Sequence, residues 1–179
     1  MLQMKTDDLI HELARAEISD VRADSTTRAA FSSDASLYRL VPKAVVSPRS
    51  RDEVVETMRV CRELGIPLTS RGAGTSVAGN AVGTGVILDF SRHLNHVLEI
   101  DATARTAVVE PGTVHATLQR AARKEGLRFG PDPSTHTRCT IGGMIGNNAC
   151  GSRTLGYGRT SDNVLGVDVI TGTGSVFST

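Results

Sequence analysis

The chain has 179 residues, of which 39% are hydrophobic, and its formal net charge is +1. This length suits one domain with its own core. The balanced charge and the scarcity of aromatic residues, 3% with no tryptophan, argue against binding of nucleic acid or of an anionic membrane surface.

The three cysteines are Cys61, Cys139 and Cys150. They follow neither a metal-binding nor a disulfide pattern, which favours a reducing environment. No apolar run reaches the length of a membrane span. We therefore predict a cytoplasmic protein, and peripheral association with a membrane respiratory chain stays open.

The N-terminal region begins with apolar residues at helical spacing, which predict an amphipathic helix over residues 5–18 with Thr6 as its N-cap. Residues 20–36 are polar and rich in Ser, Thr and Asp. We interpret them as a linker, so that residues 1–37 precede a domain at 38–179.

A strand–helix–strand pattern comes next. Residues 44–46 predict a strand, and a capping box from Ser50 to Glu53 predicts the start of a helix that ends at Gly65. Residues 66–69 predict the second strand. This order predicts a parallel βαβ unit.

A glycine-rich loop, residues 70–83, separates that strand from an apolar strand at 86–90. Glycines allow the backbone to approach a ligand, and successive N–H groups in such a loop can form an anion-binding nest. The hydroxyls of Thr75 and Ser76, together with Arg71, would add donors. The sequence predicts a phosphate or pyrophosphate site, and the alternative is a plain flexible loop.

Two familiar nucleotide-binding patterns do not fit this loop. A Rossmann fold needs a crossover helix after its glycines, and residues 76–85 contain three glycines and reach the next strand at once. A nucleoside-triphosphate loop ends in Gly-Lys-Ser/Thr, and no lysine occurs here.

The pattern then becomes antiparallel. Residues 96–100 and 106–110 predict a hairpin. Thr113 is the expected cap of a helix that ends at Gly126, and we expect His115 on this helix to be packed or at the surface rather than a ligand.

A second unusual stretch, residues 129–152, joins a turn with two prolines to a short predicted helix at 140–149. Its small residues permit close approach of a flat ligand, or of another backbone. Residues 164–170 predict a strand, and residues 164–179 a hairpin. The hairpin's position suggests a piece of a longer protein, with an exposed edge at 164–177 through which a dimer could form.

The two glycine-rich stretches, in this order, resemble the FAD-binding domain of the vanillyl-alcohol oxidase and p-cresol methylhydroxylase superfamily. The sequence is more closely similar to flavin-linked D-2-hydroxyacid dehydrogenases, which act on D-lactate, glycolate or D-2-hydroxyglutarate, with or without an iron–sulfur extension. The matching motifs lie at residues 34–38, 42–50, 71–76, 109–112, 131–134, 140–143, 147–151 and 157–162.

The resemblance implies an α+β fold of the p-cresol methylhydroxylase type, with two α+β subdomains. The first, about 38–92, would hold a small parallel sheet; the second, about 93–179, would hold a larger mixed or antiparallel sheet with flanking helices, incomplete at its C-terminus. FAD would bind between them. The implied cofactor-binding residues are Arg71, Gly72, Ala73, Gly74, Thr75, Ser76, Pro111, Gly112, Pro131, Asp132, Pro133, Ser134, Thr140, Gly142, Gly143, Asn147, Ala149, Gly151, Ser152 and Val164.

The resemblance also implies that FAD is held non-covalently, because Thr75 stands where some members carry a tethering histidine. Cys139 and Cys150 are the thiols nearby, the resemblance places neither at the family's tethering position, and His136 is the remaining candidate for a covalent link. We assign no catalytic residue and no metal ligand to this chain, since a divalent metal or an iron–sulfur cluster would belong to the C-terminal remainder of a longer protein.

The implied function is oxidation of a small 2-hydroxy acid by hydride transfer to FAD, with electrons passed to a carrier protein, a quinone or an iron–sulfur domain. Two alternatives stay open. One is an FAD-dependent oxidase or lyase for another alcohol, a sugar or an ether-lipid precursor, and the other is a non-enzymatic phosphate-binding module.

Overall fold

The computed structural model describes residues 6–179, a mixed α+β fold as predicted. Lys5, the first residue of the predicted N-terminal helix, lies outside the described residues. The helices are α1 (Thr6–Arg15), α2 (Ser25–Ala30), α3 (Arg51–Glu63), α4 (His115–Lys124), α5 (Ile141–Gly146) and α6 (Thr154–Tyr157). The strands are β1 (Val21–Arg22), β2 (Ala44–Val46), β3 (Leu68–Arg71), β4 (Val86–Asp89), β5 (Val97–Asp101), β6 (Thr106–Val109), β7 (Asp168–Ile170) and β8 (Val176–Ser178).

The first sheet has four strands in the order β1-β2-β4-β3. Strand β4 runs parallel to both β2 and β3 and lies between them, with all four of its residues buried. The predicted βαβ unit, β2–α3–β3, therefore joins strands that are not neighbours. The glycine-rich loop carries the chain from the edge strand β3 back to the centre of the sheet without a helix.

Helix α3 begins at the predicted capping box. The Ser50 hydroxyl accepts a hydrogen bond from the Glu53 N–H at 3.2 Å. The Glu53 carboxylate accepts from the Arg49 N–H at 2.8 Å, one residue before the usual partner of a capping box. Both contacts satisfy backbone donors and fix the start of the helix.

The interpretation of residues 20–36 as a linker is wrong. Strand β1 pairs antiparallel with β2, and α2 is capped by Asp24, whose side chain accepts from the Thr27 N–H at 2.9 Å. A two-residue strand has too few residues for a periodic pattern, and its stability comes from the neighbouring β2. The boundary near residue 37 stays a prediction.

An ionic cluster fixes this N-terminal region to the segment that follows β4. The Asp20 carboxylate lies 3.2 Å from Arg22 Nε, 3.0 Å from Arg92 Nε and 2.9 Å from His93 Nε2. Burial alone would raise the pKa of Asp20, but the hydrogen bond with His93 and the charges of Arg22 and Arg92 outweigh it. The pKa of Asp20 therefore lies below its ordinary value of 3.8.

We expect Asp20→Asn to lower the free energy of unfolding by about 1–3 kcal/mol at pH 7. A carboxylate with a lowered folded-state pKa stabilises the fold above its unfolded-state pKa, and this stabilisation is lost as the pH falls through the folded-state pKa. The difference between wild type and variant should thus be constant above about pH 5 and shrink below pH 4. Urea unfolding at several pH values measures it. Glu125→Gln, which removes an exposed carboxylate, is the control, and an equal loss in that variant would contradict the role of Asp20.

After β4, the two predicted antiparallel hairpins form two separate two-stranded sheets, β5-β6 and β7-β8. Helix α4 packs beside β5-β6, and a small core forms around Leu118, Cys139, Ile141 and Met144. The prediction that Thr113 caps α4 is wrong. Val114 occupies the N-cap position of α4, and the buried Thr113 hydroxyl donates to the His96 carbonyl at 2.8 Å.

The last hairpin contacts the first part of the chain. Arg51, at the start of α3, forms an ion pair with Asp168, and Arg62 Nη1 donates to the Thr173 carbonyl at 2.5 Å. Ile170 packs against the core of the first sheet. Strand β7 begins four residues later than predicted, because a 3₁₀ turn at Ser161–Asn163 precedes it. Within residues 6–179, no helix is both long and apolar enough to cross a membrane.

Candidate cofactor site

The two glycine-rich stretches, which are about 70 residues apart in the sequence, lie against each other in the fold. A Cβ atom placed on Gly72 would be 2.1 Å from the Thr140 hydroxyl oxygen. The side chains of Asn80 and Asn147 are joined by a hydrogen bond of 3.0 Å. The two stretches therefore form the sides of one site, where the carboxyl end of β3 meets the N-terminus of α5.

The first side of the site carries a run of free backbone donors. The N–H groups of residues 72–77 donate to no acceptor within the described part of the chain. The Gly74 backbone is left-handed, with φ +66°, and the Gly74 carbonyl accepts from the Ala35 N–H at 3.1 Å. Unpaired N–H groups in a turn of this kind attract an anion. These six groups, which we name the amide cradle, are the strongest evidence for a phosphate site.

Arg71 supports the amide cradle from inside the protein. Its Nη1 donates to the carbonyls of Ser33 at 3.0 Å and Ala81 at 2.9 Å, and its guanidinium lies 5.0 Å from the centre of the Phe31 ring. Burial lowers the pKa of Arg71, while nearby Asp89 and Asp34 oppose that shift. The sequence predicted a direct phosphate donor, whereas the structure gives Nη1 two backbone acceptors that hold the loop in place.

Gly74 is required by this arrangement. A Cβ atom at Gly74 would lie 2.4 Å from Arg71 Nη2. A side chain there would displace the guanidinium, and it would also have to adopt the left-handed backbone that most side chains avoid. The described atoms therefore show a clash within the protein itself.

The second side of the site has its N–H groups already bonded. The Gly142 N–H donates to the Pro111 carbonyl at 2.8 Å, and the Gly143 N–H donates to the Thr140 hydroxyl at 3.3 Å. The Gly151 N–H donates to the Thr154 hydroxyl at 3.0 Å. This stretch therefore offers a compact wall rather than a second cradle, although its composition resembles that of the first.

The turn at residues 131–134 is tied to this wall. The Asp132 carboxylate accepts from the Arg153 N–H at 3.1 Å and pairs with Arg153 Nε at 3.1 Å. A Cβ atom at Gly151 would lie 2.1 Å from the Asp132 carbonyl oxygen, so Gly151 is needed for the two backbones to meet. Asp132 thus has a structural task that its motif did not reveal.

Exposure divides the predicted cofactor residues. Gly112, Pro131 and Thr140 are buried, and they can support the site but present little surface to a ligand. The exposed ones are Ala73, Pro111, Ser134, Asn147 and Ser152, and the half-buried ones are Arg71, Gly72, Gly74, Thr75, Ser76, Asp132, Pro133, Gly142, Gly143, Ala149, Gly151 and Val164. Val164 ends the 3₁₀ turn, ahead of β7 rather than within the strand predicted there.

Two of the three thiols, Cys139 and Cys61, are buried, whereas Cys150 is exposed. Cys139 is buried, and burial raises its pKa, opposed by a hydrogen bond with Thr135. Cys61, in α3, has its pKa raised by burial to about 11. A thiol with a raised pKa is a poor nucleophile because little of it is thiolate. Within residues 6–179, no group of three or more His, Cys, Asp or Glu side chains could hold a metal ion.

Comparison with known proteins identifies the family. A family described as "FAD binding domain" matches residues 42–179. The chain belongs to this family of FAD-binding domains. The amide cradle lies inside the matched region, and its row of free N–H groups fits the diphosphate of FAD, which is the ligand this family binds.

Similar curated proteins include oxidoreductases of two kinds. The glycolate oxidase subunit GlcD of Bacillus subtilis is 37% identical over 180 aligned positions, covering 98% of this chain and 38% of that protein. A D-2-hydroxyglutarate dehydrogenase of Escherichia coli is 38% identical over 163 positions, covering 89% of this chain and 16% of that protein. The chain thus spans well under half the length of these relatives.

Solved structures confirm the fold. Alkyldihydroxyacetonephosphate synthase matches 97% of this chain and 35% of its own, with a TM-score of 0.86 and 22% identity. p-Cresol methylhydroxylase matches 100% of this chain and 36% of its own, with a TM-score of 0.83 and 18% identity. The resemblance to the p-cresol methylhydroxylase superfamily is therefore confirmed at the level of fold.

Proposed function

We propose that the protein carrying this chain is an FAD-dependent oxidoreductase that oxidises a small 2-hydroxy acid of the glycolate or D-2-hydroxyglutarate type. The observation that carries the proposal is the amide cradle, whose six N–H groups have no partner within residues 6–179, in a chain whose relatives include a glycolate oxidase subunit and a D-2-hydroxyglutarate dehydrogenase. FAD, when bound, would supply a two-electron acceptor: the substrate carbon that bears the hydroxyl would lose a hydride to the flavin, the hydroxyl would lose its proton to a base or to solvent, and a 2-oxo acid would result.

The residues of this chain bind and orient the cofactor. The amide cradle would hold the diphosphate through backbone N–H groups, which carry no charge that could change with pH. Arg71 would keep the loop in its binding conformation, and α5 with its flanking residues would close the opposite side. Such preorganised donors bind without the cost of ordering a loop. An electron carrier protein, a quinone or an iron–sulfur domain would reoxidise the flavin.

Another FAD-dependent activity is the second candidate, an oxidase or lyase for a different alcohol, a sugar or an ether-lipid precursor. It is supported by the structural match to alkyldihydroxyacetonephosphate synthase. At 22% identity that match carries the fold alone, whereas the curated relatives near 38% identity favour the 2-hydroxy acid.

The experiment mixes the FAD-loaded, full-length protein anaerobically with glycolate, D-lactate, D-2-hydroxyglutarate and L-lactate. We expect one of the first three to bleach the flavin absorbance and to yield one 2-oxo acid per flavin. A primary alcohol and a reducing sugar serve as controls. Bleaching by either control, with none of the hydroxy acids active, would replace the proposal by the second candidate.

We expect FAD to be released when the full-length protein is precipitated with acid. Thr75 offers no nucleophile for a flavin link, and the thiol of Cys139 is buried with a raised pKa. The measurement is flavin absorbance in the supernatant and in the washed pellet. Flavin that remains in the pellet would contradict non-covalent binding, and the variants His136→Ala and Cys139→Ser would then locate the link.

A further inference from the structure

A cavity of about 380 Å³ lies beside α4. Four segments form it: one face of α4, Arg128 after that helix, residues 132–137, and Arg153 just before α6. It shares only Asp132 with the predicted cofactor residues. The lining side chains that matter here are His115, Arg120, Arg123, Arg128, Asp132 and Arg153.

The cavity concentrates positive charge. It holds four arginines and one carboxylate, and that carboxylate, Asp132, is already paired with Arg153 at 3.1 Å. Within the described residues, Arg120, Arg123 and Arg128 form no ion pair. Arg120 donates to the Thr117 hydroxyl at 3.0 Å, and Arg128 lies 6.0 Å from the centre of the Tyr157 ring. Three guanidinium groups therefore lack an anion in a chain whose total net charge is only +1.

A buried acceptor without a partner lies in the same lining. His115 is 2% exposed, and its Nε2 donates to the Pro131 carbonyl at 2.8 Å. Because Nε2 carries the hydrogen, Nδ1 keeps its lone pair, and Nδ1 is buried with no hydrogen-bond partner in residues 6–179. Buried polar atoms are normally satisfied, so this one needs an outside donor.

We propose that this cavity is a second ligand site, which binds a small polyanion carrying phosphate groups. Planar guanidinium groups match phosphate oxygens in a bidentate way, and several of them together select a ligand with more than one anionic group. The volume suits a small molecule rather than a protein segment. The site is separate from the amide cradle and does not depend on the proposed oxidation.

The test is calorimetric titration of the FAD-saturated, full-length protein with inorganic pyrophosphate at constant ionic strength. FAD saturation keeps pyrophosphate out of the cradle. We expect Arg123→Gln to weaken binding by roughly tenfold and Arg120→Gln/Arg123→Gln by more. Lys124→Gln is the matched control, since it removes one charge from the next residue of α4 but lies outside the cavity. It should change the affinity by less than about twofold.

The outcomes separate the site from general charge attraction. Equal weakening by Arg123→Gln and Lys124→Gln, or no binding at millimolar pyrophosphate, would overturn the proposal. Citrate is titrated in parallel, and tighter binding of this tricarboxylate than of pyrophosphate would overturn the phosphate assignment. Pyrophosphate binding to the cavity should leave the bound flavin in place; release of flavin during the titration would contradict the separation of the two sites.

Discussion

Replacing Gly74 with valine should abolish FAD retention while leaving the full-length protein folded. The new Cβ atom would lie 2.4 Å from Arg71 Nη2 and would push the guanidinium off the carbonyls that it holds. The left-handed backbone adds a cost of about 1–2 kcal/mol for a residue with a side chain. We expect less than roughly a tenth of the wild-type flavin per protein, measured by absorbance, because each tenfold loss of affinity needs only about 1.4 kcal/mol.

Gly65→Val is the matched control for this variant. Gly65 follows α3 with φ +61°, and a Cβ atom there would meet nothing within 4 Å. This variant bears the same backbone strain without the clash and without contact with the amide cradle. It should lose stability but keep its flavin. Normal flavin loading in Gly74→Val, with circular dichroism unchanged, would contradict the role assigned to the loop.

Replacing Arg71 with methionine should weaken both the fold and FAD binding. Methionine keeps an unbranched apolar stem but removes the donors to the Ser33 and Ala81 carbonyls. Loss of charged hydrogen bonds at a partly buried position costs about 2–4 kcal/mol of unfolding free energy. A loop that is no longer held must be ordered on binding, so we expect the Kd for FAD to rise by roughly tenfold or more.

Arg59→Met provides the comparison. Arg59 lies on the surface of α3, where it pairs with Glu56 at 2.8 Å and Glu63 at 2.7 Å. Exposed pairs of this kind contribute little to stability. Fluorescence titration with FAD and urea unfolding should therefore show little change for Arg59→Met. Equal effects of the two substitutions on the Kd would mean that Arg71 acts only through its charge.

The sequence predicted those features that arise from local chemistry. The capping box at Ser50 defines the start of α3, and Thr140, predicted as the first residue of a short helix, is the cap of α5. Glycine-rich composition also pointed to both sides of the site. The composition could not show which side has free N–H groups, because that depends on the atoms that lie next to each group. The Gly142 N–H donates to the Pro111 carbonyl, whereas the N–H groups of residues 72–77 have no such partner within residues 6–179.

Two of the incorrect predictions, the cap at Thr113 and the linker at residues 20–36, concern long-range contacts. Thr113 has the side chain of a helix cap, but its hydroxyl donates a hydrogen bond to the nearby His96 carbonyl. Residues 21–22 become a strand only because β2 lies beside them. The hydrogen bonds of Arg71 to the carbonyls of Ser33 and Ala81 likewise left no signal in the sequence. None of these contacts joins residues near enough in sequence to leave a pattern.

Hydrogen–deuterium exchange of the full-length protein, with and without saturating FAD, tests the amide cradle most directly. The free N–H groups of residues 72–77 should exchange fast without FAD and slowly with it. The bonded N–H groups of α5, at Ile141–Gly146, should change much less. Strong new protection confined to α5, with residues 72–77 unchanged, would contradict the assignment of the amide cradle as the diphosphate site.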